Sequence, residues 1–286
     1  MKVSPQKIIE LNRDSFCLKA SIDGSGPVAI VIGSHKYYPS TFSENLKSKL
    51  QLICADTRGF VPALSDHSES DFTIAKILQD IEALRLSLGA DKIILIGHSI
   101  HAFMALEYAR QFPDKVSHLV LIASSPTAGS EIYKEADRYF EESVCPERKA
   151  AFAASMQKFI ESGDQSFVAR LLSFGPRIWY DANFDASKLW EGVEINSVGA
   201  GIIWGSMFAD YDLSSALKAI KCPIFLALGR YDYFNPPHLW EKYREHASDL
   251  TIRIFEESSH TPQLEEAHNF DEELMRWLDN KINGNL

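Results

Sequence analysis

Three features of the sequence predict an α/β protein: a doubly wound, mostly parallel sheet carrying an inserted helical cap. Short apolar, β-branched runs recur along the 286 residues, amphipathic stretches separate several of them, and the alternation stops between about Pro126 and Ala216. Continuous apolar runs of strand length suit strands covered on both faces, as in a parallel sheet. Helices between such strands imply crossover connections, and these wind the sheet on both sides.

The runs are PVAIVIG (27–33), LQLICAD (50–56), DKIILIG (91–97), SHLVLIA (117–123), CPIFLALG (222–229) and LTIRIFE (250–256). Before the first of them, DGSGP supplies a turn between early strands through Gly24 and Gly26. Residues 74–88 space Ile77, Ile81, Leu84 and Leu88 on one helical face, with charges opposite, and 271–282 closes the chain in the same manner. The stretch where alternation fails contains the helical EIYKEADRYFEES and KAAFAASMQKFIES, then the irregular, aromatic WYDANFDASKLW. It holds Trp179, Trp190 and Trp204, three of five tryptophans, which marks it as a unit with its own apolar face. The expected division is core residues 1–125, cap residues 126–215 and core residues 216–286.

A formal net charge of −10 argues against nucleic acid or an anionic membrane as a general partner, since both need clustered Lys and Arg. No apolar run reaches the length of a membrane span. The opening MKVSPQKIIELNRDSF has no apolar signal core, so a cytoplasmic rather than a secreted protein is expected. Cys17, Cys54, Cys145 and Cys222 are far apart and show no metal-ligand spacing; with Cys54 and Cys222 in or beside apolar runs, they read as reduced thiols. Oligomeric state leaves no mark on the sequence.

The stretch that carries chemistry is GHSIH, residues 97–101, between KIILI and AFMALEYARQF. Ser99 here is either a nucleophile raised on a tight strand-to-helix turn or a helix N-cap. Two later residues bear on that choice. Asp232 follows CPIFLALG, and His260 follows LTIRIFE, each just beyond the carboxyl end of an expected strand, where open α/β sheets gather ligands. Serine, acid and base in that chain order, each after a strand, favour the nucleophile.

With these residues in view, the sequence resembles the α/β-hydrolase family with a helical cap. Four stretches carry the likeness: VIGSHKYYPSTF (31–42), ADTRGF (55–60), IGHS (96–99) and HTPQLEEAHNF (260–270). The family's D-x-R-G stands as Asp56, Thr57, Arg58 and Gly59; its H-x-P-x-x-E ending stands as His260, Pro262 and Glu265. Three positions depart from the family. Gly33-Ser34 replaces the oxyanion-loop His-Gly pair, His101 replaces the last glycine of the elbow, and Ser259 replaces the glycine before the histidine. The resemblance implies Ser99 as nucleophile, His260 as base and Asp232 as its orienting acid, with backbone N–H groups of Ile100 and of Ser34 or His35 around the oxyanion. It implies no metal and no cofactor.

The expected substrate is a small ester, thioester, lactone or related acyl compound with an apolar portion. Trp179, Trp190, Trp204 and Phe208 of the cap are the candidate substrate contacts, with Tyr180 beside them. Hydrolysis of a carbon–carbon bond in a dienone acid would use the same triad. A serine at the elbow argues against dehalogenase or epoxide hydrolase chemistry, whose nucleophile is aspartate. The G-G-S-W-G of prolyl aminopeptidases differs from GHSIH at three of five positions. A reading from another class is a ligand receptor on this fold, for which the altered elbow and oxyanion loop speak. Among other residues, His98 is expected to pack or hydrogen-bond beneath the elbow, Arg58 to anchor its own loop, and His35 either to line the pocket or to be solvated. His101 is expected to be a buried or half-buried structural histidine beside the elbow, not the base, with Ser124 and Ser125 as neighbours.

Overall fold

The computed structural model describes residues 7–283, which leaves the first six residues of the opening stretch outside it. The elements run β1 (Lys7–Arg13), β2 (Phe16–Asp23), β3 (Val28–Gly33), α1 (Glu44–Lys47), β4 (Gln51–Asp56), α2 (Ile74–Ser87), β5 (Ile93–His98), α3 (His101–Gln111) and β6 (Val116–Ile122). After β6 come α4 (Glu131–Ser143), α5 (Pro146–Ser162), α6 (Phe167–Ser173), α7 (Gly175–Ile178), α8 (Ser197–Gly205) and α9 (Leu213–Ala219). The sheet then resumes with β7 (Ile224–Gly229) and β8 (Leu250–Phe255), followed by α10 (Pro262–Glu265) and α11 (Ala267–Asn283).

The eight strands lie in the order β1-β2-β4-β3-β5-β6-β7-β8. From β4 to β8 every pairing is parallel, while β2 joins β4 and β1 joins β2 antiparallel. All six runs singled out in the sequence are strands of this parallel part. β1 and β2 form the exposed margin instead, with one face turned to solvent, so they read as alternation rather than as continuous apolar runs.

Alternate residues of the central strands feed two cores. Ile30, Ile32, Leu95, Leu119 and Leu226 meet α2, α3 and α9, whereas Val31, Cys54, Ile96, Val120 and Phe225 meet α1 and α11. Each fully buried Ile or Leu on these faces contributes about 2 kcal/mol. Apolar burial on both sides keeps the carboxyl ends of the strands at fixed heights, and that is where the site forms.

The helices between β6 and β7 fill the stretch where alternation fails. α9 crosses the expected 215/216 boundary, because Leu213, Ala216 and Leu217 pack into the core under β7's neighbours. Among the described residues no helix is long and apolar enough to cross a membrane. The four cysteines are free.

Candidate active site

The order reverses around β3, with β4 on one side and β5 on the other, so the loops leaving β3 and β5 part there and open a crevice. The chain after β5 turns abruptly into α3. Ser99 has φ +55, a left-handed conformation unusual for a residue with a side chain. The turn is held by Ser99 N–H donating to Ile122 O at 2.8 Å and by Ala102 N–H donating to Ser99 O at 3.0 Å. A β-carbon on Gly97 would lie 2.6 Å from the His101 carbonyl and 2.7 Å from Ala102 Cα, so the first position of the motif requires glycine. Position 101 faces elsewhere and accepts a large side chain.

The loop after β7 carries Asp232, which is buried. Its Oδ1 accepts from the N–H groups of Phe234 at 3.0 Å and Asn235 at 2.7 Å; its Oδ2 lies 2.8 Å from His260 Nδ1. Because a carboxylate only accepts, Nδ1 carries the proton and Nε2 is left as the free ring nitrogen. Asn235 fastens this loop to the end of β6 by donating from Nδ2 to Ala123 O at 2.7 Å.

The loop after β8 holds His260 by its backbone. His260 N–H donates to Ile178 O at 3.1 Å, and its carbonyl accepts from His98 Nε2 at 2.7 Å. Glu265 stands behind, its Oε2 accepting from Ser259 N–H and Thr261 N–H, both at 3.0 Å. Burial raises the Glu265 carboxyl above its ordinary range, although these backbone donors pull the other way. Ser259, where the resemblance led to expect glycine, donates from Oγ to Tyr231 O at 2.8 Å and so ties the two loops together. The tight approach falls on Gly229 instead, where a β-carbon would sit 1.9 Å from Ser259 O.

Ser99, Ile100 and His260 share one cavity with His98 and His101. Trp179, Trp190 and Trp204 are on its wall, as are Tyr38, Phe60, Leu171, Phe174 and Phe234. Among the described residues, no Asp, Glu, Lys or Arg side chain lines it. Phe208 does not reach it: the ring stacks on Phe103 with centroids 5.2 Å apart, because the chain past α8 turns down onto α3 and joins the core there.

Ser34 and His35 are also placed away from the cavity. The His35 N–H donates to Asp56 Oδ1 at 2.8 Å, and His35 Nδ1 lies 2.8 Å from Asp56 Oδ2, so both its amide and its ring belong to the end of β4. Ser34 is buried, its Oγ accepting from Lys36 and Tyr37 N–H groups. From this loop Tyr37 and Tyr38 face the cavity instead. Tyr38 covers Gly33 so closely that a β-carbon there would meet its ring at 2.1 Å. Gly33 thus makes room for Tyr38, a relation that the spacing of the motif does not reveal. Arg58 is buried against Asp80, with Nε–Oδ2 2.6 Å, and anchors its own loop.

His98 and His101 are both buried and joined through Tyr38, whose hydroxyl is 3.1 Å from His98 Nδ1 and 3.2 Å from His101 Nδ1. Burial, assisted by the neighbouring His260 and His101, holds His98 well below the ordinary histidine range. Burial likewise lowers His101 to about 4, opposed by the backbone carbonyl of His98. The neighbours of the His101 ring are Tyr38, Phe60 and Trp204; Ser124 and Ser125 serve other partners through Trp240 and Thr127.

A family model described as alpha/beta hydrolase fold matches residues 29–267. An AB hydrolase superfamily protein, YclE, from Bacillus subtilis is 35% identical over 271 residues, covering 93% of this chain and 96% of that protein. A pimeloyl-[acyl-carrier protein] methyl ester esterase from Vibrio atlanticus is 25% identical, covering 89% and 95%. An alpha/beta fold family hydrolase from Bacillus anthracis superposes with a TM-score of 0.70 at 18% identity, covering 93% and 97%. Proteins bearing esterase and peptidase names both occur among the relatives.

Proposed function

This chain belongs to the α/β-hydrolase fold family and is a hydrolase, and from that premise we propose that it cleaves small, uncharged carboxylic esters or related acyl compounds with Ser99, His260 and Asp232. The observation that carries this reading is the Asp232–His260 bond of 2.8 Å at the edge of a cavity that also receives Ser99 from a left-handed turn.

In the reaction, Ser99 Oγ bonds to the substrate carbonyl carbon while its proton passes to His260 Nε2. The carbonyl oxygen becomes an oxyanion beside Ile100 N–H, a backbone donor worth about 3 kcal/mol at the transition state. Collapse breaks the bond to the alkoxy or thiolate group, which leaves with the proton from His260. Water, deprotonated by the same Nε2, then frees the acyl group and regenerates Ser99. Asp232 keeps Nδ1 protonated throughout and stabilises the imidazolium. Of the oxyanion loop, His35 N–H is taken by Asp56 and Ser34 is turned away from the cavity, so Ile100 N–H is the donor this reading assigns.

The lining argues for the ester class. A dienone acid brings a carboxylate and a peptide brings an N-terminal amine; among the described residues this wall offers no ion of opposite sign for either. Aromatic residues of the 126–215 segment, acting as a lid, would surround the apolar part of an acyl chain. The test is labelling by a fluorophosphonate together with sustained release of p-nitrophenol from short-chain esters. Labelling and turnover that both vanish in Ser99→Ala support the reading. A single stoichiometric release without turnover points to a receptor, and labelling that persists in Ser99→Ala overturns the assignment.

A further inference from the structure

His101 Nε2 is buried without a protein partner, although the residue lines the cavity two positions after Ser99. Buried polar atoms left unpaired are uncommon and costly. What this atom can do follows from the hydrogen bonds that surround it.

The His260 carbonyl can only accept, so His98 must carry its proton on Nε2. Neutral His98 therefore presents a lone pair at Nδ1, and the Tyr38 hydroxyl donates its single proton there. With that proton committed, Tyr38 can only accept from His101, which places the His101 proton on Nδ1. Neutral His101 is left with a bare lone pair at Nε2. Each tautomer in the chain is dictated by the one before it, and the first is dictated by a backbone carbonyl.

The geometry points to His101 Nε2 as a built acceptor subsite, which takes a hydroxyl or N–H donor carried by the substrate bound at Ser99. The inference rests on the hydrolase reading of Ser99 and specifies part of its substrate. Phe60 and Trp204 pack around the ring, with centroids at 5.7 and 5.5 Å, and neither is hydrogen-bonded to Nε2. The groups facing His101 that could titrate are Tyr38 and His98, and burial keeps both neutral near pH 7. The nitrogen thus remains an acceptor under ordinary assay conditions.

Two measurements test this. Proton–nitrogen correlation spectra of the resting protein report histidine tautomers: a proton on Nε2 of His98 and on Nδ1 of His101 is expected, and a proton on Nε2 of His101 overturns the proposal whatever the catalytic result. Separately, kcat/KM is compared between p-nitrophenyl butyrate and its analogues bearing a hydroxyl on the second or third acyl carbon or an acetylamino group on the second. For at least one donor-bearing ester, His101→Leu should reduce kcat/KM about tenfold more than for butyrate, the factor of one neutral hydrogen bond. His101→Gln, which restores an acceptor, should recover part of that difference. Equal losses across the panel overturn the subsite while leaving the hydrolase reading standing. Absence of turnover for every ester, with the expected tautomers, breaks the hydrolase reading and the subsite with it.

Discussion

The floor and the wall of the cavity are built by different means. On the floor, directional hydrogen bonds fix each group: Asp232 accepts from the Phe234 and Asn235 N–H groups of its own loop, the His260 ring bonds to Asp232, and the His98 ring donates to the His260 carbonyl. The wall is aromatic and aliphatic: Trp179, Trp204, Leu171 and Phe174 come from the chain between β6 and β7 and meet the cavity through apolar contact. Directional bonds suit a step that needs a proton at one atom. Apolar contact suits selection by shape and size, where no single orientation is demanded. Chemistry and selection should therefore respond to mutation separately, and the predictions below are ways to break that separation.

The largest effects belong to the floor. Ser99→Ala and His260→Ala should each lower kcat by about a millionfold, measured with an activated ester on protein whose folding is verified by circular dichroism. Asp232→Asn should cost about 10⁴ in kcat, because the amide favours the wrong imidazole tautomer. If Asp232→Asn instead changed only KM, orientation of His260 would have to come from another group.

Changes in the wall should be smaller and fall on KM. Trp204→Ala should raise KM for longer acyl chains by about tenfold, with kcat little altered, since it removes apolar contact made equally in ground and transition states. A matching loss in kcat would show that the indole supports the floor through its edge-on contact with His101, at 5.5 Å between centroids. His101→Ala should lower kcat/KM for butyrate only severalfold, far less than His260→Ala does.

The smallest effect at neutral pH appears in acid. His101 is near 6.5 when unfolded and is lowered to about 4 by burial. The unfolded chain therefore takes up this proton first, and the stabilisation present above pH 6.5 is lost as pH falls through 4. The difference corresponds to about 3 kcal/mol for this one group. Urea titrations of His101→Phe should show a shallower loss of stability over that window than the parent; equal slopes would mean that His101 is not buried neutral.

Much of this was legible before folding. Each of Ser99, Asp232 and His260 lies within four residues of the end of an apolar run, and in a parallel sheet the ends of such runs gather on one edge. Local pattern therefore carried long-range information. Phe208 misled because aromatic content identifies an apolar unit without saying which rings turn toward the cavity and which toward α3. His35 misled for a related reason. Its amide faces a crevice in principle, but Asp56 lies far off in sequence and claims it once β3 and β4 are paired. Tyr38 gave no signal of its own, since its place depends on the missing side chain of Gly33.

The short helix α7 joins the two halves of the site. Its Arg177 carbonyl accepts from Tyr233 N–H at 3.2 Å, its Ile178 carbonyl accepts from His260 N–H at 3.1 Å, and Tyr180 N–H just beyond donates to Glu265. Arg177 also reaches outward from the same turn, to Asp137 on α4 at 2.7 Å. The segment between β6 and β7 is thus a splint on the loop that carries His260. Engineers who trim that segment, or graft one from a relative, would unfasten the loop that carries His260 along with it. A graft that keeps its function must return two carbonyls and one amide to the places where α7 and Tyr180 now hold them.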